Sequence, residues 1–88
     1  AWSVQQLGAR SEYRFTSPAP TTGSASAASA DDELDEYVHL YMANRGVLIT
    51  PFHNMALMCP TTTAEDVDRH TEVFAACVDE LVAAGPVV

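Results

Sequence analysis

The groups in this sequence suited to nucleophilic, general-base or metal-binding work are three histidines and two cysteines. His39 sits between Val38 and Leu40, roughly opposite the apolar stripe of its segment, and reads as an exposed or boundary residue. His70 follows Asp66 by one helical turn, a spacing that predicts an ion pair worth a few tenths of a kcal/mol. Cys59 ends an apolar run and Cys77 falls on a helical packing face, so both read as core thiols. Sequence spacing leaves a Cys-His hydrolase pair geometrically open, because catalytic partners need not be neighbours along a chain. No CxxC, HxxxH or HExxH spacing is present, and no metal site is expected. The carboxylates from Asp31 to Glu36 read as a solvated helix start rather than an acid/base pair. All four basic residues are arginines (Arg10, Arg14, Arg45 and Arg69), so no lysine is available for Schiff-base chemistry within the chain. There is no glycine-rich phosphate loop either, and catalytic residues within the chain are not expected.

Pro51-Phe52-His53-Asn54-Met55 is richer than a turn requires. A connection between apolar strands usually carries glycine or aspartate, whereas this one presents an aromatic ring, an imidazole and an amide together. Phe52, His53 and Asn54 are therefore candidate binding residues for a small polar ligand. The plainer alternative gives Asn54 a left-handed turn conformation, His53 to solvent and Phe52 to the core.

The elements that must position these groups follow from composition and period. Eighty-eight residues allow one small domain, read as 1–88. A formal charge of −8 argues against nucleic acid and anionic membrane as partners, and no apolar run approaches the roughly 20 residues that cross a bilayer. No signal peptide is visible at the start, and two cysteines make no disulfide framework, so a cytoplasmic location is expected. Residues 2–15 hold two strands: Val4 and Leu7 precede a turn at Gly8, and Tyr13 and Phe15 alternate with Glu12 and Arg14. Residues 16–30 are almost all Ser, Thr, Ala, Pro and Gly and read as a surface loop. A helix over 32–44 is marked by its acidic start, by Leu34, Tyr37, Val38 and Tyr41 on one face, and by Gly46 as stop. Residues 47–50 and 55–59 predict two short antiparallel strands. Thr61-Thr62-Thr63 offers hydroxyl caps, with Glu65 and Asp66 able to return a bond to the capping amide, and Val67, Phe74, Val78, Leu81 and Val82 form the apolar face of the helix that follows, with Cys77 at the edge and Gly85-Pro86 at the end. The expected fold is α+β: about four short antiparallel strands with two helices on one face, in the order β-β-loop-α-β-β-α. So small a core predicts a partner surface.

The run from Asn44-Arg45-Gly46-Val47-Leu48-Ile49-Thr50 through Pro51-Phe52-His53-Asn54 to Met55-Ala56-Leu57-Met58, followed by Thr63-Ala64-Glu65-Asp66-Val67-Asp68, resembles the C-terminal end of class III pyridoxal-phosphate aminotransferases. It looks most like the branch containing glutamate-1-semialdehyde aminomutase. Leu7-Gly8-Ala9-Arg10 and Glu12-Tyr13-Arg14-Phe15 are similar to the strands that open the same small domain. The resemblance implies a homodimeric fold type I enzyme whose C-terminal domain closes over the substrate and passes an amino group from an amino donor to a carbonyl acceptor. It also implies pyridoxal 5'-phosphate held upstream, outside these residues, so the expected partners are the remainder of that chain and its dimer mate. Many class III members carry an arginine for a substrate carboxylate on the strand that reads Met55-Ala56-Leu57-Met58 here, and no arginine is present there. The different-class alternative is a non-catalytic interaction or dimerisation module.

Overall fold

The computed structural model describes residues 1–50 and 53–85. The six elements in chain order are β1 (Ser3–Leu7), β2 (Arg10–Arg14), α1 (Gly23–Ala28), α2 (Asp32–Ala43), β3 (Met55–Leu57) and α3 (Ala64–Ala84). The expected α+β class holds, with one antiparallel sheet in the order β1-β2-β3.

β1 and β2 are joined by the two-residue turn Gly8-Ala9, where Gly8 takes a φ of 58° that side chains disfavour. The register Val4↔Tyr13 follows from that turn, and β3 adds to the other edge of β2 with Glu12↔Met55 and Arg10↔Leu57. The two-residue side-chain period sends Tyr13 to one face and Arg10, Glu12 and Arg14 to the other. Tyr13 meets Phe74 at 4.9 Å between ring centroids and stacks on Trp2 at 5.9 Å, which ties the sheet to α3. Val38 and Met42 from α2, Val73 and Cys77 from α3, and Ile49 complete the core.

The helix starts are those the caps predict. Asp31 accepts from the Leu34 amide at 3.0 Å, and three acidic residues fill the first turn of α2. Thr63 and Asp66 form a reciprocal capping box at the start of α3. Gly46 ends the α2 region with a φ of 83°, as its sequence position requires.

Four expectations are corrected. Residues 47–50 form no strand, so the sheet has three strands rather than four. The Val47 amide is spent on the Met42 carbonyl at 2.9 Å, closing the helix end, and only the Thr50 amide reaches toward β3, at 3.3 Å to the Met55 carbonyl. The 16–30 segment stays on the surface but carries α1, capped by Thr22 and burying no residue. Alanine favours helix where serine and threonine can cap it, and Arg14 Nη1 donates to Ser26 Oγ at 2.7 Å to hold it in place. On α3 the buried centre is Val73 and Cys77, while Val67 and Val82 are 40% and 73% exposed. Twenty-one residues span about 30 Å, longer than the core beneath them, so the helix ends overhang it. Finally, β3 stops at Leu57 because residues 59–62 turn, with the Thr62 amide on the Cys59 carbonyl at 2.9 Å. Cys59 is thus exposed rather than core, whereas Cys77 is buried as expected. No helix of the described residues is long and apolar enough to cross a membrane.

Candidate functional site

A polar cleft of about 330 Å³ lies where four segments meet. The end of β2 contributes Glu12, Arg14 and Phe15, α1 and its exit contribute Ser26, Ser29 and Ala30, the start of α2 contributes Asp31, Asp32 and Asp35, and the loop before β3 contributes His53 and Asn54. Local rules place several of these groups: strand alternation turns Glu12 and Arg14 away from the core, and helix capping fixes Asp31 at the start of α2.

Arg14 is engaged on both sides. Its Nη2 meets Glu12 Oε1 at 2.8 Å and its Nη1 donates to Ser26, in side chains that are only 27% and 19% exposed for Arg14 and Glu12. Arg14 Nε, Asp35 Oδ1 and Asn54 Oδ1 are buried without a hydrogen-bond partner among the described residues. A buried polar atom of this kind costs about 1–3 kcal/mol, so Arg14 Nε and Asn54 Oδ1, beside an Asp35 Oδ1 that has His39 Nδ1 at 3.5 Å, mark a surface shaped for polar contact rather than for stability.

The structure places two of the three predicted binding residues in this cleft. His53 is exposed, with Nδ1 4.0 Å from Glu12 Oε2. Asn54 is half-buried, and its backbone carbonyl accepts from the Tyr13 amide at 3.1 Å, which fixes the loop to the central strand. Phe52 lies outside the described residues.

His39 lies at the boundary, as expected, and its ring is bonded on both sides. Nδ1 donates to the Asp35 carbonyl at 2.8 Å, and Nε2 faces the carbonyls of His53 at 2.8 Å and Thr50 at 3.1 Å. Burial alone would lower its pKa, but those carbonyls together with the Asp35 carboxylate, 3.5 Å away, hold it above the ordinary imidazole value. The Asp35-to-His39 spacing of one helical turn was the available signal, and the loop carbonyls left none in the sequence.

His70 differs too. Asp66 gives its carboxylate to the capping box, so no Asp66–His70 ion pair forms among the described residues, and His70 instead stacks on Phe74 at 6.1 Å, its pKa lowered by burial. Cys59 sits 3.1 Å and 3.3 Å from the Thr61 and Thr62 hydroxyls, which bring its thiol down to about 7. No group of three or more His, Cys, Asp or Glu side chains is arranged to hold a metal ion among the described residues.

Among solved structures, the chain is similar to a glutamate-1-semialdehyde-aminomutase from Pseudomonas aeruginosa PAO1, with 48% identity and a TM-score of 0.88. It resembles the aminomutase branch of the class III aminotransferases. A lysine-to-alanine variant of the same aminomutase, in complex with PMP, matches with the same identity and TM-score. Each match covers 91% of this chain and 18% of that chain, so the sequence spans less than a fifth of the aminomutase it resembles. No protein-family model and no curated protein matches the chain. At nearly one identical residue in two, the likeness to the aminomutase extends beyond the fold to residue identity.

Proposed function

We propose that these residues are the C-terminal, substrate-closing domain of a cytoplasmic pyridoxal-phosphate-dependent aminotransferase or aminomutase, in which Phe52, His53 and Asn54 face the substrate. The observation that carries this reading is the 48% identity and 0.88 TM-score to an aminomutase, one form of which is in complex with PMP. The remainder of the enzyme chain and a dimer mate would be its protein partners, and an amino donor and a carbonyl acceptor its small-molecule ones.

The residues present do not fit the cofactor itself. The chain has no lysine to bond it, and the cleft carries Glu12, Asp31, Asp32 and Asp35 against Arg14, a balance that repels a phosphate group. Cofactor chemistry therefore belongs to residues beyond these 88. What this chain supplies is position: His53 and Asn54 offer hydrogen-bonding groups at a cleft between β2 and the start of α2.

Ala substitutions at His53 and Asn54 in the intact enzyme should each lower kcat/KM about tenfold, the equivalent of one lost transition-state hydrogen bond near 1.4 kcal/mol. Thermal stability should change little, because His53 is exposed and the Asn54 tie to Tyr13 runs through the backbone. Unchanged kinetics with several amino donors would overturn the site assignment.

An apolar groove of about 730 Å³ between β1 and α3, lined by Trp2, Val4, Phe74, Val78, Leu81 and Val82, favours coverage by further protein surface. The non-catalytic module reading rests on that groove. An intact protein of mass near 9.4 kDa without pyridoxal absorbance would support the module, and a heavier one carrying that absorbance the enzyme.

A further inference from the structure

We propose that His39 is the positioning residue for the loop carrying His53 and Asn54, its doubly protonated ring stapling α2 to that loop through the Thr50 and His53 carbonyls. The staple stands on geometry alone, and its effect on substrate rests on the reading of that loop given above.

Among the described residues, the atoms facing the ring nitrogens are acceptors. Nδ1 has the Asp35 carbonyl at 2.8 Å and Asp35 Oδ1 at 3.5 Å, and Nε2 has two loop carbonyls at 2.8 Å and 3.1 Å. A neutral imidazole carries a single N–H. With that proton on Nδ1, the loop loses its donor. With it on Nε2, a lone pair is pressed against two oxygens of Asp35. Only the imidazolium satisfies both sides.

Among the described residues, the bonds the loop makes within itself and to β3 are long. The His53 amide reaches the Thr50 carbonyl at 3.3 Å, and the Thr50 amide reaches the Met55 carbonyl at 3.3 Å. Pro51 brings no amide at all. Among the described residues, the loop is tied to β2 by the Asn54 carbonyl on the Tyr13 amide and by His53 Nδ1 at 4.0 Å from Glu12 Oε2, and to α2 by His39.

The charged and titratable groups around the ring agree with this protonation. On α2 it faces Asp35. From the loop comes His53, itself turned toward Glu12 of β2, and Glu12 is paired with Arg14. The α3 carboxylate that meets α2, Glu80, is taken by the Tyr37 hydroxyl at 3.0 Å. With the His39 pKa raised above its ordinary 6.5, the anchor is complete below that value and is lost as pH rises through the raised one.

The test is hydrogen exchange of the peptide over residues 50–58 in the intact enzyme at pH 6 and pH 9, corrected for intrinsic rates, with kcat and KM measured alongside. Wild type should show at least tenfold less protection at pH 9. His39→Phe should be unprotected at both, and His39→Gln, which donates from a neutral amide, protected at both. Should His39→Phe fail to fold, wild type and His39→Gln decide between them. Wild-type protection at pH 6 in His39→Phe, or a wild-type pH profile in His39→Gln, would overturn the staple. A tenfold rise in KM in His39→Phe, rescued by Gln, carries the staple through to substrate. Lost protection with unchanged kinetics keeps the staple and overturns the substrate-facing reading instead.

Discussion

Thr63→Ala tests how α3 is started and, through α3, what holds the sheet. Thr63 Oγ1 accepts from the Asp66 amide at 3.1 Å, and the Thr63 amide donates to Asp66 Oδ2 at 2.9 Å. Both residues are exposed, so water competes for each bond and the Thr63 side chain contributes about 1 kcal/mol. Asp66→Ala removes the return bond, about 1 kcal/mol, and a first-turn charge worth about 0.5 kcal/mol. The two bonds share one geometry, so the double variant should cost about 2 kcal/mol, some 0.5 less than the sum. Native-state hydrogen exchange across α3 in the intact protein reads this directly, since 1 kcal/mol changes an opening constant about fivefold. Thr63→Ser keeps the acceptor and should stay within twofold of wild type. First-turn protection in Thr63→Ala within twofold of wild type, or strict additivity in the double variant, would refute the reasoning.

Met42 is fully buried between α2 and α3, so Met42→Ala should cost about 3 kcal/mol by opening a cavity, whereas Met42→Leu should cost under about 1.5; denaturant titration separates them. Cys59 should alkylate in the native protein with a rate that rises through pH near 7, while buried Cys77 stays unreactive until unfolding. Replacing Thr61 and Thr62 by alanine should move the Cys59 inflection upward, and iodoacetamide kinetics followed by peptide mapping report both cysteines.

Local chemistry is what the sequence displays best. Asp31, the threonines 61–63 and Gly46 announce helix boundaries because a cap is satisfied within a few residues, and Tyr13 announces a half-buried strand by alternation alone. Residues 47–50 mislead because their β-branched content outweighs, in any local reading, the pull of the Met42 carbonyl on the Val47 amide. Cys59 misleads for a similar reason: the apolar run is real, but the threonines after it turn the chain. His39 was out of reach, since its two loop acceptors lie 11 and 14 positions away and are backbone atoms, carried equally by every residue type. The cleft likewise joins four segments, of which only the His53–Asn54 corner stood out beforehand.

The central place of β2 bears on how the chain is made. Glu12 pairs with Met55, 43 positions later, so at a synthesis rate of roughly 5–20 residues per second the hairpin of β1 and β2 waits roughly 2–9 s for its third strand. During that interval one edge of β2 stands open to any passing strand. Three of its five residues are charged, and Arg10, Glu12 and Arg14 guard the edge against aggregation before Glu12 and Arg14 line a cleft. The same charges that give the finished site its polarity protect the nascent chain that has yet to build it.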